Sequence, residues 1–233
     1  MSDEQALMPE DYKDIIYRLT YFLLGKVAHY IPRSVSPNQI TIVAFVSAMI
    51  ACALLYFISS PMAYLYWAIF NFIWYVLDAL DGIHARLTRQ TSEYGAFLDH
   101  VLDNIFFLIM FTVFTIKFDL SHPLYVLALM TRITAAVMVF IVQVHTGKLY
   151  LSKLSGGLEL LLMTTVMLLF YFFPYFDPSL YTSNAVFLHL IQVLDLQQGA
   201  FMKITLWIYL VGVPISFIFL FRFVKQEFAS SAH

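Results

Sequence analysis

The stretch "NFIWYVLDALDGIHARLTRQTSEYGAFLDHVLDNIFFLIMF", residues 71–111, decides the fold. An apolar run ends in two aspartates, a short polar connection follows, and two more aspartates open a second apolar run. The four acids, Asp78, Asp81, Asp99 and Asp103, are spaced by three, eighteen and four residues. Carboxylates are costly beside hydrocarbon, so four at the inner ends of two greasy segments need a common purpose.

The surroundings are just as apolar. Hydrophobic residues make up 61% of the 233 and charged ones only 12%, far from the roughly 25% charged typical of a soluble domain. This composition indicates an integral membrane protein and excludes an ordinary soluble enzyme. A helix needs about 20 apolar residues to cross a hydrocarbon core of about 30 Å. Six windows qualify, near 40–58, 62–80, 98–116, 124–144, 158–176 and 204–221. The expectation is an all-α, polytopic fold of six transmembrane helices forming one domain over 1–233, with a core at 37–225. Residues 1–36 form an N-terminal amphipathic segment, in which 10–31 mix charges with Ile, Leu, Phe and Tyr and read as an interfacial helix. Residues 180–198 are too polar for a confident span, and a surface helix or loop there keeps the number of spans even. No cleavable signal peptide is expected in the acidic, polar first fourteen residues, and Cys52, alone in an apolar run, reads as a buried thiol.

Basic residues orient the chain. Lys13, Arg18, Lys26 and Arg33 precede the first span, Arg86 and Arg89 separate the second from the third, Lys148 and Lys153 the fourth from the fifth, and Arg222 and Lys225 follow the sixth. Lys117 and Lys203 fall on the other side. By the positive-inside rule the first group is cytoplasmic, and the four aspartates lie at that surface. Residues three or four apart share a helix face, so Asp78 with Asp81 and Asp99 with Asp103 form two carboxylate pairs on adjoining helices. Oxygen donors without His or Cys suit hard divalent cations, Mg²⁺ or Mn²⁺, and four acids suffice for two ions. Gly82, Ala85 and Gly95 would let helices or phosphates approach the backbone closely.

The stretch resembles the signature of the CDP-alcohol phosphotransferase (phosphatidyltransferase) family, D-x-x-D-G-x-x-A-R, eight residues, then G-x-x-x-D-x-x-x-D. "SPNQIT" at 36–41 is similar to the family's entry into its first span. The resemblance implies attack of a hydroxyl on the phosphorus of a CDP-alcohol with release of CMP. It also implies metal ligation by Asp78, Asp81, Asp99 and Asp103, a CDP site at Asn38, Gly82, Ala85, Arg86 and Gly95, and a homodimer in a bacterial inner membrane or ER-type membrane. "DHVLD" at 99–103 resembles the "DHGxD" form of the choline and ethanolamine phosphotransferases, with Val101 in place of glycine. "HTGKLYLSKLSGGLELLL" at 145–162 is similar to those enzymes' "TGxLxL" string followed by a glutamate, here Glu159.

That branch implies transfer of phosphocholine or phosphoethanolamine from CDP-choline or CDP-ethanolamine to a lipid hydroxyl, diacylglycerol first and ceramide next. Its catalytic dyad would be His100 with Glu159. In the alternative branch, CDP-diacylglycerol donates a phosphatidyl group to a small alcohol and Asp103 is the base. A divalent-cation transporter is the alternative of another class, disfavoured because its acids would sit at the bilayer midplane. No nucleic-acid partner is expected. Arg132, deep in the fourth span with no acid within helical reach, requires a partner from another span or a wet cavity.

Overall fold

The computed structural model describes residues 15–146, 156–197 and 199–230. Lys13, Lys148, Lys153 and the string at 147–155 lie outside the described residues. Those described form eight α-helices and one 3₁₀ turn: α1 (Ile15–Ala28), α2 (Pro37–Phe57), α3 (Met62–Thr88), α4 (Glu93–Lys117), α5 (Pro123–Thr146), α6 (Gly156–Phe172), the turn Pro178–Tyr181, α7 (Ala185–Val193) and α8 (Ala200–Ser230).

Five helices, α2, α3, α4, α5 and α8, are long and apolar enough to cross a membrane, and α6 is a shorter apolar helix in the place of the fifth expected window. At 1.5 Å per residue the nine residues of α7 reach only about 13 Å, so the 180–198 segment is no further span. Helix starts follow local chemistry. Ser36 and Gln39 form a reciprocal capping box ahead of Pro37, which satisfies amide donors that the first turn of α2 would otherwise leave bare. The Ser92 hydroxyl accepts from the Gly95 amide at the start of α4.

The most extensive packing is α2 against α3. Ala44, Ala48, Ala51, Cys52 and Leu55 recur every three or four residues on α2 and are all buried. Small side chains at that period let two helices approach closely in a medium where burial alone supplies little driving force. The Ser47 hydroxyl, on the same helix, donates to the Phe70 carbonyl at 2.8 Å. Trp67, Phe106 and Phe114 fill the centre of the core.

The two ends of the bundle differ. Away from the aspartates, Phe118 stacks on Phe170 with centroids 4.7 Å apart, Phe170 abuts Phe201 and Phe201 stacks on Phe176. Lys117 donates to the Ile58 carbonyl, the buried Lys203 pairs with Asp195 at 2.6 Å, and the Tyr125 hydroxyl donates to the Leu194 carbonyl. At the aspartate end, α1 lays Tyr21 and Ala28 on Ala79, Leu80 and Ile83 of α3, while Leu19, Phe22, Leu23 and Val27 stay exposed. An apolar face left outward on a helix at the end of a bundle of spans fits the expected interfacial role.

Candidate active site

Asp78 lies near the end of α3 and Asp99 and Asp103 in the first turns of α4. The four residues 89–92 between these helices turn sharply at Arg89, whose φ of 58° is left-handed. This turn carries α4 back beside α3 and brings carboxylate oxygens of Asp78, Asp99 and Asp103 within 4.8 Å of one another. Oxygens about 2.1 Å from Mg²⁺ stand ~3.0 Å apart when adjacent and ~4.2 Å apart when opposite, so the three oxygens would draw in by up to about 1.8 Å to share one ion. The donor set therefore fits a hard divalent cation.

The fourth acid differs from expectation. Asp81 is buried and accepts a hydrogen bond from the Thr41 hydroxyl of α2, outside the three-acid group. Three residues of helix rotate a side chain by about 300°, which turns Asp81 some 60° from Asp78 towards α2. Trp74, one turn before Asp78, sets its side chain beside Asp103 and packs on Phe106 with centroids 4.7 Å apart. Thr41 escaped the sequence reading because nothing in its spacing points at an acid forty residues away. Trp74, four residues before Asp78 on the same face, could have been found.

The residues expected around CDP fall into two groups. On α3, the Arg86 guanidinium lies over Gly82, 3.2 Å from where a Cβ would stand, and donates to the Tyr21 hydroxyl at 3.1 Å. Ala85 is half-buried on the same helix. Between the starts of α2 and α4, the Asn38 side-chain oxygen is 3.1 Å from the Cβ position of Gly95. Any larger residue at 95 would displace Asn38 or the Ser92 cap.

His100 sits beside Asp99, Nδ1 to Oδ2 3.8 Å, with its ring edge-on to Phe140 of α5 at 5.3 Å. Glu159 has partners other than His100. Arg132 Nε donates to both carboxylate oxygens at 2.8 and 3.0 Å, Nη2 donates to Oε2, and the Tyr209 hydroxyl donates to Oε1 at 2.9 Å. The partner that Arg132 required from another span is thus Glu159. The guanidinium also lies over Phe107, 5.2 Å from the ring centre. Phe107 is seven residues beyond His100 on the same face of α4, which sets the Arg132–Glu159 pair about 10 Å deeper than the imidazole. Tyr209, fifty residues from Glu159, carried no signal in the sequence.

A bundle of apolar helices with convergent carboxylates at one end and closed packing at the other defines an integral membrane protein with an acidic cluster at one end. Residues 34–207 match the family described as CDP-alcohol phosphatidyltransferase. The chain belongs to that family, whose members transfer phosphate-containing groups. It is 31% identical over 160 residues to an uncharacterised CDP-alcohol phosphatidyltransferase class-I family protein of Schizosaccharomyces pombe, covering 63% of this chain and 40% of that protein. With the choline/ethanolaminephosphotransferase 1 of Saccharomyces cerevisiae it shares 26% identity over 155 residues, 62% of this chain and 39% of the relative. With the CDP-diacylglycerol–serine O-phosphatidyltransferase of Encephalitozoon cuniculi it shares 31% over 155 residues, 62% and 38% respectively. The matches span about two fifths of the length of these relatives.

Proposed function

We propose that the protein transfers phosphocholine or phosphoethanolamine from CDP-choline or CDP-ethanolamine to the hydroxyl of diacylglycerol, releasing CMP. The observation that carries this reading is the placement of His100. It adjoins the carboxylate cluster through Asp99 and turns its ring to Phe140 of the neighbouring span, so a base faces the side from which a lipid hydroxyl would come. The likeness to the yeast choline/ethanolaminephosphotransferase supports it. In this reaction the lipid oxygen bonds to the phosphorus next to the alcohol, the phosphoanhydride bond to CMP breaks, and His100 takes the hydroxyl proton.

Asp78, Asp99 and Asp103 would hold the divalent cation, Mg²⁺ or Mn²⁺, with Asp81 supporting a second. Bound there, such ions neutralise the pyrophosphate and stabilise the leaving CMP. Asn38, Gly95, Gly82, Ala85 and Arg86 would seat the nucleotide. Glu159, held by Arg132 and Tyr209, would act on the lipid side below His100. The chain is read as a single domain with its catalytic core at 37–225, a homodimer, and cytoplasmic at the aspartate end. The orientation is supported by Arg18, Lys26, Arg33, Arg86, Arg89, Arg222 and Lys225 at that end, against Lys117 and Lys203, both engaged internally, at the other.

A second reading is phosphatidyl transfer from CDP-diacylglycerol to a small alcohol, favoured by the likeness to the Encephalitozoon serine enzyme. There Asp103 is the base and His100 a bystander. The test incubates purified protein with radiolabelled CDP-choline, CDP-ethanolamine and CDP-diacylglycerol, each with its acceptor. Release of CMP only from CDP-diacylglycerol would overturn the head-group reading.

A further inference from the structure

Beside the acidic site, between α1 and the last turn of α3, lies a cavity of about 380 Å³ lined by Ala28, His29, Ile31, Arg33, Leu87, Thr88 and Arg89. Its floor is apolar, from Ala28, Ile31 and Leu87, and its rim is basic, from His29, Arg33 and Arg89. No acid lines it. The lining stretches 28–33 and 87–89 contain His29, Arg33 and Arg89 and no Asp or Glu. The walls are tied together. Arg33 donates to the Thr88 carbonyl at 2.9 Å, Gln90 donates to the Arg33 carbonyl at 2.9 Å, and the His84 ring is bonded to the Val35 carbonyl at 2.8 Å.

Arg89 is the telling residue. It closes α3 in the left-handed conformation, φ 58° and ψ 38°, a cap position where glycine is the usual occupant because it alone carries no Cβ penalty. An arginine there gives up backbone stability and puts an exposed basic residue among those that line the cavity. Against this rim runs α1, with Leu19, Phe22, Leu23 and Val27 exposed, which seats the cavity at head-group depth in a bilayer.

We propose that this cleft binds the phosphate of an anionic membrane phospholipid, with Arg33, Arg89 and His29 around the phosphate and the apolar floor against the start of an acyl chain. The site is separate from the carboxylate cluster, and the proposal does not depend on which CDP-alcohol the protein uses. A phosphate group is the shared chemistry of a lipid head group and of a free anion, and the apolar floor and neighbouring α1 assign it to the lipid.

The test uses the full chain in neutral detergent and measures, by native mass spectrometry, retention of phosphatidylglycerol and of phosphatidylcholine, with inorganic phosphate as a competitor. The wild type is expected to retain phosphatidylglycerol in preference to phosphatidylcholine. Arg33→Gln and Arg89→Gly should each weaken that retention about fivefold, the effect of one basic side chain at an anionic surface. Arg89→Gly should melt no lower than the wild type, because glycine suits the left-handed position, which separates loss of the site from loss of fold. Arg222→Gln, at the same end of the bundle, should bind as the wild type does. Equal retention of the two lipids, or full retention of phosphatidylglycerol by Arg89→Gly, would overturn the proposal. Displacement by inorganic phosphate at equal concentration would overturn the lipid assignment in favour of a soluble phosphate.

Discussion

Replacing Asp103 with asparagine should change the protein's stability in opposite directions with and without metal. The carboxylate oxygens of Asp78, Asp99 and Asp103 lie within 4.8 Å of one another, and at an effective dielectric constant near 20 each ionised pair at that separation repels by about 3.5 kcal/mol. Asparagine is nearly isosteric and removes the two pairs that involve residue 103. Relief of even a quarter of one pair, about 1 kcal/mol, would raise the melting temperature in EDTA by roughly 2–4 °C for a chain of this size. The wild type, by contrast, should gain from metal. An ion at a hundred times its dissociation constant adds about 2.7 kcal/mol, or roughly 5–10 °C at the same scale. The Asn variant should lose most of that gain. The measurement is thermal unfolding in detergent, followed by intrinsic tryptophan fluorescence, across EDTA, Mg²⁺ and Mn²⁺. An Asp103→Asn protein that melts below the wild type in EDTA, or that gains the same increment from Mn²⁺, would refute the three-carboxylate cation site.

Further outcomes follow from the same geometry. His100→Ala should lower turnover with CDP-choline or CDP-ethanolamine by roughly 10²–10⁴, the range for a lost general base, while metal-induced thermal shifts persist; near-normal turnover would point to Asp103 as the base. Arg132→Met should destabilise the protein by about 2–3 kcal/mol, because it leaves the part-buried Glu159 without its guanidinium, and the double variant with Glu159→Met should recover most of the loss in melting temperature. A double variant no more stable than the single would show that the pair has little structural weight. Gly95→Ala should raise the KM for the CDP-alcohol several-fold with little change in melting temperature, since the new methyl meets Asn38 Oδ1 at 3.1 Å and Ser92 Oγ at 3.0 Å; an unchanged KM would remove Asn38 and Gly95 from the nucleotide site.

The spans were legible because membrane helices announce themselves by length and hydropathy, whereas two starts read near 40 and 98 lie at Pro37 and Glu93, where Ser36 with Gln39, and Ser92, cap the first turns. Asp78, Asp99 and Asp103 converge as their spacing suggested, for that spacing is short-range and the connecting turn leaves little choice. Asp81 stands outside that three-acid group, hydrogen-bonded by Thr41 on α2, a tertiary contact that no periodicity encodes. The same holds deeper in the membrane. Arg132 could be seen to need an acid, yet nothing local said that the acid was Glu159 or that Tyr209 would complete the group. A resemblance that pairs Glu159 with His100 speaks of chemistry during turnover, whereas side-chain packing fixes where the carboxylate rests.

The layer of Phe118, Phe170, Phe201 and Phe176, with the Lys203–Asp195 and Lys117–Ile58 clasps, makes the bundle a blind-ended vessel. Among the described residues, a water-soluble molecule at the aspartates meets packed side chains in the direction of that end. Under the proposed function, a nucleotide that enters at the aspartate end would also leave there, and a lipid partner would come and go sideways through the bilayer. The stoppered end separates the traffic of the polar and the greasy partners without a moving gate.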